Sequence, residues 1–313
     1  MKYDTSWLLD QVTRFESIAA SEVTFDDNDV IEFLETELVT TVTPICQSVN
    51  EEFGVFYEDI PVTASTLTLT VPSFATGQRL RSVNVVSGTS PNNQYLTSLP
   101  RLNPAQIASI ILPPYGGFYL RNNEIVFYPS PINTGTIRLS YYRRPNELVS
   151  VASTGRIISI NVAANTVLLD NAPPGVYWQA GDEMDILTST LPFDFRVKGA
   201  ILEIKSGTTL KFAPAVIAKV KIGDIVSLGG EACVAQFIPG EAHYLLAQLA
   251  AARCLQGLGD TAGTKIALEK AEQMKTNLVK IMSDRVQDQP KKIIGNAGIA
   301  GWSGPQNLYQ GGR

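Results

Sequence analysis

The chain has 313 residues, 44% of them hydrophobic and only 18% charged, with a formal net charge of −5. That is enough to bury one large core or two smaller ones, and so little solubilising charge leaves surface for partners to cover. No stretch approaches the roughly 20 apolar residues of a membrane span, and the opening MKYDTSWLLD turns acidic too soon for a signal peptide, so a soluble protein made in the cytoplasm is expected.

Charge is distributed unevenly. Residues 1–59 hold fourteen Asp and Glu against Lys2 and Arg14, a net −12, whereas the other 254 residues hold 23 basic and 16 acidic groups, a net +7. An acidic end repels nucleic acid, and the remainder has no Lys/Arg cluster beyond pairs, which argues against tight DNA binding. The acid run reads either as a solvated helix face, as a surface for a basic neighbour, or as a lumen wall that does not grip DNA.

Along the chain, Leu8, Val12, Phe15 and Ala19 share one helix face, with Thr5 or Ser6 available as cap. Thr24-Phe25-Asp26-Asp27 is a capping-box pattern starting a second helix. Its stripe runs Ile31, Leu34, Leu38, Val42, Ile45, Val49, and Pro44 should kink or split it near Thr43. Gly54 suits a helix stop. From Val55 the period becomes two, cleanly in TLTLTV (66–71) and less so over 80–86. The loop LNPAQIAS that follows has room for one short helix started by Pro104.

Residues 156–228 contain an internal repeat. Arg156–Ile160 matches Ala200–Ile204, Thr166–Leu168 matches Thr208–Leu210, and Gly181-Asp182 matches Gly223-Asp224, each copy reading as three strands. Two such units would bury their apolar faces on each other as a small barrel or sandwich. After Pro239-Gly240 the helical period returns. Leu245, Leu249, Ala252 and Leu255 define one helix up to Gly257-Leu-Gly259. A second, from about Thr264, turns Ala267, Ala271, Met274, Leu278 and Ile281 inward, with Lys265 and Glu269 paired outside, and Pro290 stops it. The last 25 residues hold six glycines, no acid, and the isolated anchors Ile293, Ile294, Trp302 and Tyr309. Such a tail cannot build a core of its own.

The expected fold class is therefore α+β: a helical bundle from both chain ends, a large β-rich insertion and an extended C-terminal arm. The segments are 1–55 (helices), 56–150 (β-rich), 151–235 (duplicated β unit), 236–288 (helices) and 289–313 (arm).

Chemistry is sparse. Cys46, Cys233 and Cys254 make no metal-ligand or redox spacing and read as buried thiols. His243 stands alone at the start of a helix, with Glu241 on a different face, and reads as a surface or cap residue. Phosphate-loop, dinucleotide and nucleophile-elbow motifs are absent from the sequence. Asp182-Glu183-Asp185 is the densest carboxylate run, but the second copy keeps only Gly-Asp, the part that turn geometry needs. The other acids are expected at outward strand positions. No enzyme, cofactor or metal is expected. Tyr177-Trp178 is the best candidate for an aromatic platform, the basis of an alternative reading as a tail or fibre module that binds carbohydrate.

From Gly116 to Val149 the sequence GGFYLRNNEIVFYPSPINTGTIRLSYYRRPNELV reads as a hairpin of two strands, EIVFYP and TIRLSYY, closed by Arg143-Arg144-Pro145. In wording and spacing this segment resembles one that recurs in tailed-bacteriophage neck proteins, the head-to-tail adaptor or connector rings. The resemblance implies a structural virion protein at the head–tail junction, in a closed homo-oligomeric ring, usually twelvefold, between the portal and other neck or tail proteins. DNA would pass through without specific binding, and no membrane is involved. It also implies that the tail clasps a partner through Lys291, Lys292, Ile293, Ile294, Trp302 and Tyr309. The acidic face of Asp26, Asp27, Asp29, Glu32 and Glu35 would line the lumen or meet an adjacent subunit.

Overall fold

The computed structural model describes residues 2–16, 25–49, 53–63, 66–87, 95–104, 116–128, 135–171, 173 and 177–283. The described residues up to Met282 form one compact unit. The predicted arm residues, the 105–115 loop and Pro290 lie outside the described residues.

Helix α1 (Thr5–Glu16) starts at neither predicted cap. Asp4 caps it, its Oδ1 accepting from the Trp7 amide at 2.9 Å, while Thr5 is fully buried and donates to the Val149 carbonyl at 2.9 Å. Helix α2 (Asp27–Glu37) begins two residues later than the Thr24–Asp27 pattern places it. Asp26 is the N-cap, and Asp29 completes the capping box by accepting from the Asp26 amide at 3.1 Å. Pro44 acts as expected but further upstream. The helix passes through a π turn over Leu38–Val42 before α3 (Thr43–Val49), and the Thr43 amide donates back five residues to Leu38. The wider turn accommodates a proline that offers no N–H to the turn before it. Through it Leu34, Leu38, Val42 and Cys46 all remain fully buried.

Four antiparallel strands follow in the order β1-β7-β3-β4: β1 (Val55–Val62), β3 (Ala75–Ser87), β4 (Tyr95–Ser98) and β7 (Gly135–Arg143). Three more, β2 (Thr68–Thr70), β5 (Gly117–Arg121) and β6 (Glu124–Tyr128), form a separate sheet ordered β2-β6-β5. The predicted hairpin is thus not a hairpin, since EIVFYP and TIRLSYY lie in different sheets. The tight turn is one strand earlier, at Asn122-Asn123. There Asn122 takes φ +54°, and Arg121 and Glu124 pair across the turn at 2.8 Å. The two sheets share a core of Val83, Ile125, Phe127, Ile137, Leu139 and Tyr141.

The repeat is real in three dimensions. Strands β9 (Gly155–Asn161), β10 (Thr166–Leu169) and β11 (Glu183–Leu187) form the first copy. The second consists of β12 (Phe195–Ile201) with β13 (Ile204–Ser206), then β14 (Thr209–Lys211), helix α4 (Pro214–Ile217) and β15 (Ile225–Leu228). They make one sheet ordered β12-β11-β15-β9-β10-β14-β13, and exchanging the copies maps the sheet onto itself. Gly155 pairs with Val226 as Ala200 pairs with Met184. Ile157 N donates to Asp224 O as Leu202 N does to Asp182 O, both at 2.9 Å. These bonds equate Ile157 with Leu202, one residue off the match read from sequence. Ile158 and Ile201, which that match aligned with inward partners, are 48% and 50% exposed. Among the described residues no closed barrel forms; the two edges of the sheet, β12 and β13, are successive pieces of chain on either side of Leu202-Glu203. Trp178, Met184, Ile186, Leu210 and Phe212 fill the space the sheet encloses.

Two short parallel strands, β8 (Glu147–Leu148) and β16 (Glu231–Ala232), lead to helices α5 (Ala242–Gly257) and α6 (Thr261–Met282). Leu8, Leu34, Leu38, Leu245, Leu246 and Leu278 share one core, so helices from both ends of the sequence pack together. Each buried leucine contributes about 2 kcal/mol. Helix α6 starts three residues early, capped by Asp260, whose Oδ1 accepts from the Gly263 amide at 2.8 Å. Its inward stripe is narrower than predicted: Ala267, Ala271 and Leu278 are buried, but Ile281 is 47% exposed. Glu272 and Lys275 pair on it at 3.1 Å, whereas the expected Lys265–Glu269 pair does not form. At 33% helix and 36% strand, the fold is α+β.

Candidate functional site

The end of the phage-like segment forms the densest buried polar cluster among the described residues. Arg143, the last residue of β7, is fully buried. Its guanidinium carbon lies 4.0, 4.6 and 5.3 Å from the ring centroids of Phe195, Phe74 and Phe56. Nη2 donates to Asn146 Oδ1 at 3.2 Å. Nε and Nη1 have no well-aligned acceptor; they sit among the ring faces and beside the Tyr141 hydroxyl. Asn146 Nδ2 donates in turn to Asp185 Oδ2 at 2.8 Å and to the Glu231 carbonyl at 3.1 Å, and its amide N donates to Gln236 Oε1 at 2.9 Å. Asp185 also accepts from the Gly199 amide at 3.0 Å and the Gly230 amide at 3.1 Å. Burial lowers the Arg143 pKa, and the Asp185 carboxylate works against that shift.

Asp185 is therefore 2% exposed, against the expectation of an outward strand position. Both faces of β11 are covered, so alternation does not operate there. A sequence signal existed: the equivalent residue of the second copy is Ser227, a small neutral side chain between apolar neighbours. Asn146 and Gln236 carried no such signal, because their roles depend on which segments meet. Asp182 is the acid that the turn needs, accepting from the Gln179 amide at 2.6 Å as Asp224 accepts from Lys221 at 2.8 Å.

The other candidates separate. Asp26 and Asp29 cap their own helix, Asp27 and Glu32 are exposed, and Glu35 is half-buried. Burial, then Glu147 and Glu32, raises the Glu35 pKa. His243 does begin a helix, but it is fully buried rather than at the surface. Nδ1 lies 3.1 Å from the Pro239 carbonyl, the ring packs on Tyr3, and burial pushes its pKa down to about 4. The three thiols are buried, with Cys46 pushed up to about 12 and Cys233 to about 11. Cys233 walls a cavity of about 120 Å³ with Asp4, Thr154 and Arg156, where a neutral thiol is a poor nucleophile. Trp178 is 1% exposed and belongs to the β core, so Tyr177-Trp178 is not a platform. Among the described residues no three of His, Cys, Asp and Glu could hold a metal ion, and no helix is long and apolar enough to cross a membrane.

No protein-family model and no curated protein matches this chain. Among solved structures, the flagellar hook junction protein FlgK from Burkholderia pseudomallei aligns at 12% identity over 80% of this chain and 59% of its own length. The TM-score of 0.13 is too low for that likeness to carry any inference.

Proposed function

We propose that this chain is a structural virion protein that forms a ring between portal and tail, a head-to-tail adaptor, and that it catalyses no reaction. The observation that supports this reading best is the use made of the segment resembling neck proteins. Its YYRRPNELV end is the buried joint where β7, the duplicated unit and the stretch leading into α5 are tied together through Arg143, Asn146, Asp185 and Gln236. A charge locked under aromatic rings suits a subunit that transmits force and keeps its shape, and offers nothing to a substrate.

In this reading the terminal helices form the ring-building bundle and the β region is an insertion projecting from it. Subunits join by a heterologous, closed contact, usually twelvefold. DNA passes through the channel without specific binding, and the tail from Gln289 clasps the portal. Mass photometry of the chain, alone and with the portal ring of the same phage, tests this. A large closed ring is expected; a monomer or trimer in both conditions would reject the adaptor reading.

A further inference from the structure

The pseudo-twofold of the duplicated unit supplies an internal control, because anything the fold alone requires should stand at both Gly-Asp turns. The turn hydrogen bonds do: Gly181 N donates to Leu202 O at 2.8 Å and Gly223 N to Ile157 O at 2.7 Å. The side chains around the turns do not. At the second turn Lys219 and Lys221 are exposed and Ile222 is 67% exposed. Arg156 Nε reaches the Gly223 carbonyl at 3.3 Å, and Arg196 Nε pairs with Asp224 at 3.2 Å. The equivalents at the first turn are neutral: Tyr177 for Lys219, Gln179 for Lys221, Ala180 for Ile222 and Ile201 for Arg156. Three of the four cations at this pole, Lys219, Lys221 and Arg156, thus have neutral counterparts at the other, where the nearby Lys205 donates to the Pro173 carbonyl at 2.9 Å. The carboxylates bonded into the cluster are two, the fully buried Asp224 and Asp170, which accepts from the Arg156 amide at 2.7 Å. Folding does not require this excess of positive charge, since the first copy folds the same turn without it.

We infer that the basic knob around Gly223-Asp224 docks on the acidic N-terminal helices of a second copy of this chain. This deepens the assembly reading and rests on it. Charge complementarity selects the occupant. The first 59 residues carry a net −12, and on α2 Asp27 and Glu32 are exposed. The two patches belong to different cores of one chain, α2 packing on the helical core and the 218–223 loop on the β core. Knob to helix is also a heterologous contact, the kind that closes into a ring. A nucleic-acid backbone fits less well. The knob is one compact turn crowned by an exposed isoleucine, an apolar anchor that suits a protein surface rather than a row of phosphates.

The test is self-association of the full-length chain, measured by sedimentation with and without the portal ring, at low and high salt. The wild-type protein should associate, and more weakly at high salt. Lys219→Glu with Lys221→Glu should weaken association by about tenfold or more, because like charges would then face each other. Adding Asp27→Lys and Glu32→Lys should restore it. Asp26 and Asp29 are left alone because they cap α2, and unchanged melting of each variant checks folding. Association unaffected by the lysine reversals would overturn the knob while leaving the ring reading intact. Absence of wild-type association with or without the portal would overturn both. Reversals that abolish binding to a short DNA duplex but not self-association would make the knob a phosphate contact and refute the inference.

Discussion

Asp185 and Asp182 are three residues apart, yet one faces the buried Arg143 charge through Asn146 and the other holds a surface turn. Removing the carboxylate leaves the Arg143 charge and the Asn146, Gly199 and Gly230 donors uncompensated in the interior, so Asp185→Ala should cost about 3–5 kcal/mol of stability. Asp182→Ala should cost about 1 kcal/mol, the worth of an exposed turn hydrogen bond. Urea unfolding of both variants checks this, and equal losses would show that Arg143 does not depend on its carboxylate. His243 sets an acid limit. Its folded pKa of about 4 lies below the 6.5 of an ordinary histidine. Above about pH 6.5 its contribution is whole; as pH falls towards 4 the unfolded chain takes up a proton that the folded chain refuses, a loss on the order of 3 kcal/mol. Glu35 and Glu231, whose pKa values burial raises, act in the opposite sense, disfavouring the fold as they ionise. His243→Gln should flatten the fall between these pH values, and an unchanged slope would assign the acid loss elsewhere.

Among elements, helix contacts and strand contacts fail in different ways. Glu37 on α2 is 6% exposed, ion-pairs with Arg253 of α5 and accepts from Thr41 Oγ1 at 2.7 Å. Glu37→Ala leaves only the half-exposed Arg253, which water can reach, so a loss of about 1–3 kcal/mol is expected. In the duplicated unit the constraint is space. A Cβ on Gly155 would stand 2.6 Å from Leu169 Cδ1 and 2.7 Å from the Asn171 carbonyl, whereas Ala200 occupies the equivalent place in the second copy. Gly155→Ala should therefore cost about 1–3 kcal/mol through overpacking, read as a lowered urea midpoint. A neutral result would mean that the β9–β10 ladder yields easily.

For the whole molecule, the described residues up to Met282 form a compact unit of their own. Deleting residues 290–313 should then leave the melting temperature within about 2 °C of the parent, less than the shift of a 1 kcal/mol change. The truncated chain should lose portal binding if the tail clasps the portal, each buried aromatic anchor being worth about 2 kcal/mol or more. Unchanged portal binding would refute the clasp, and a chain that no longer folds would show that the tail completes the core.

The sequence by itself determined the α+β class, the helical stripes at both ends, a disturbance of the helix ahead of Pro44 and the existence of the repeat. These are local properties, set by periodicity, a missing N–H and a recurring turn. Tertiary structure decided where those elements meet. The Asn122 turn pairs β6 with β5 in one sheet, and β7 pairs with β1 and β3 in another. Pairing fixed the repeat one residue away from its best sequence match, because the period of two lets one face only be inward. The buried joint lay furthest from sequence, since Arg143, Asn146, Asp185 and Gln236 span over ninety residues and each alone has the composition of a surface position. A polar side chain's burial depends on the partners that satisfy it, and only the folded chain brings those partners together.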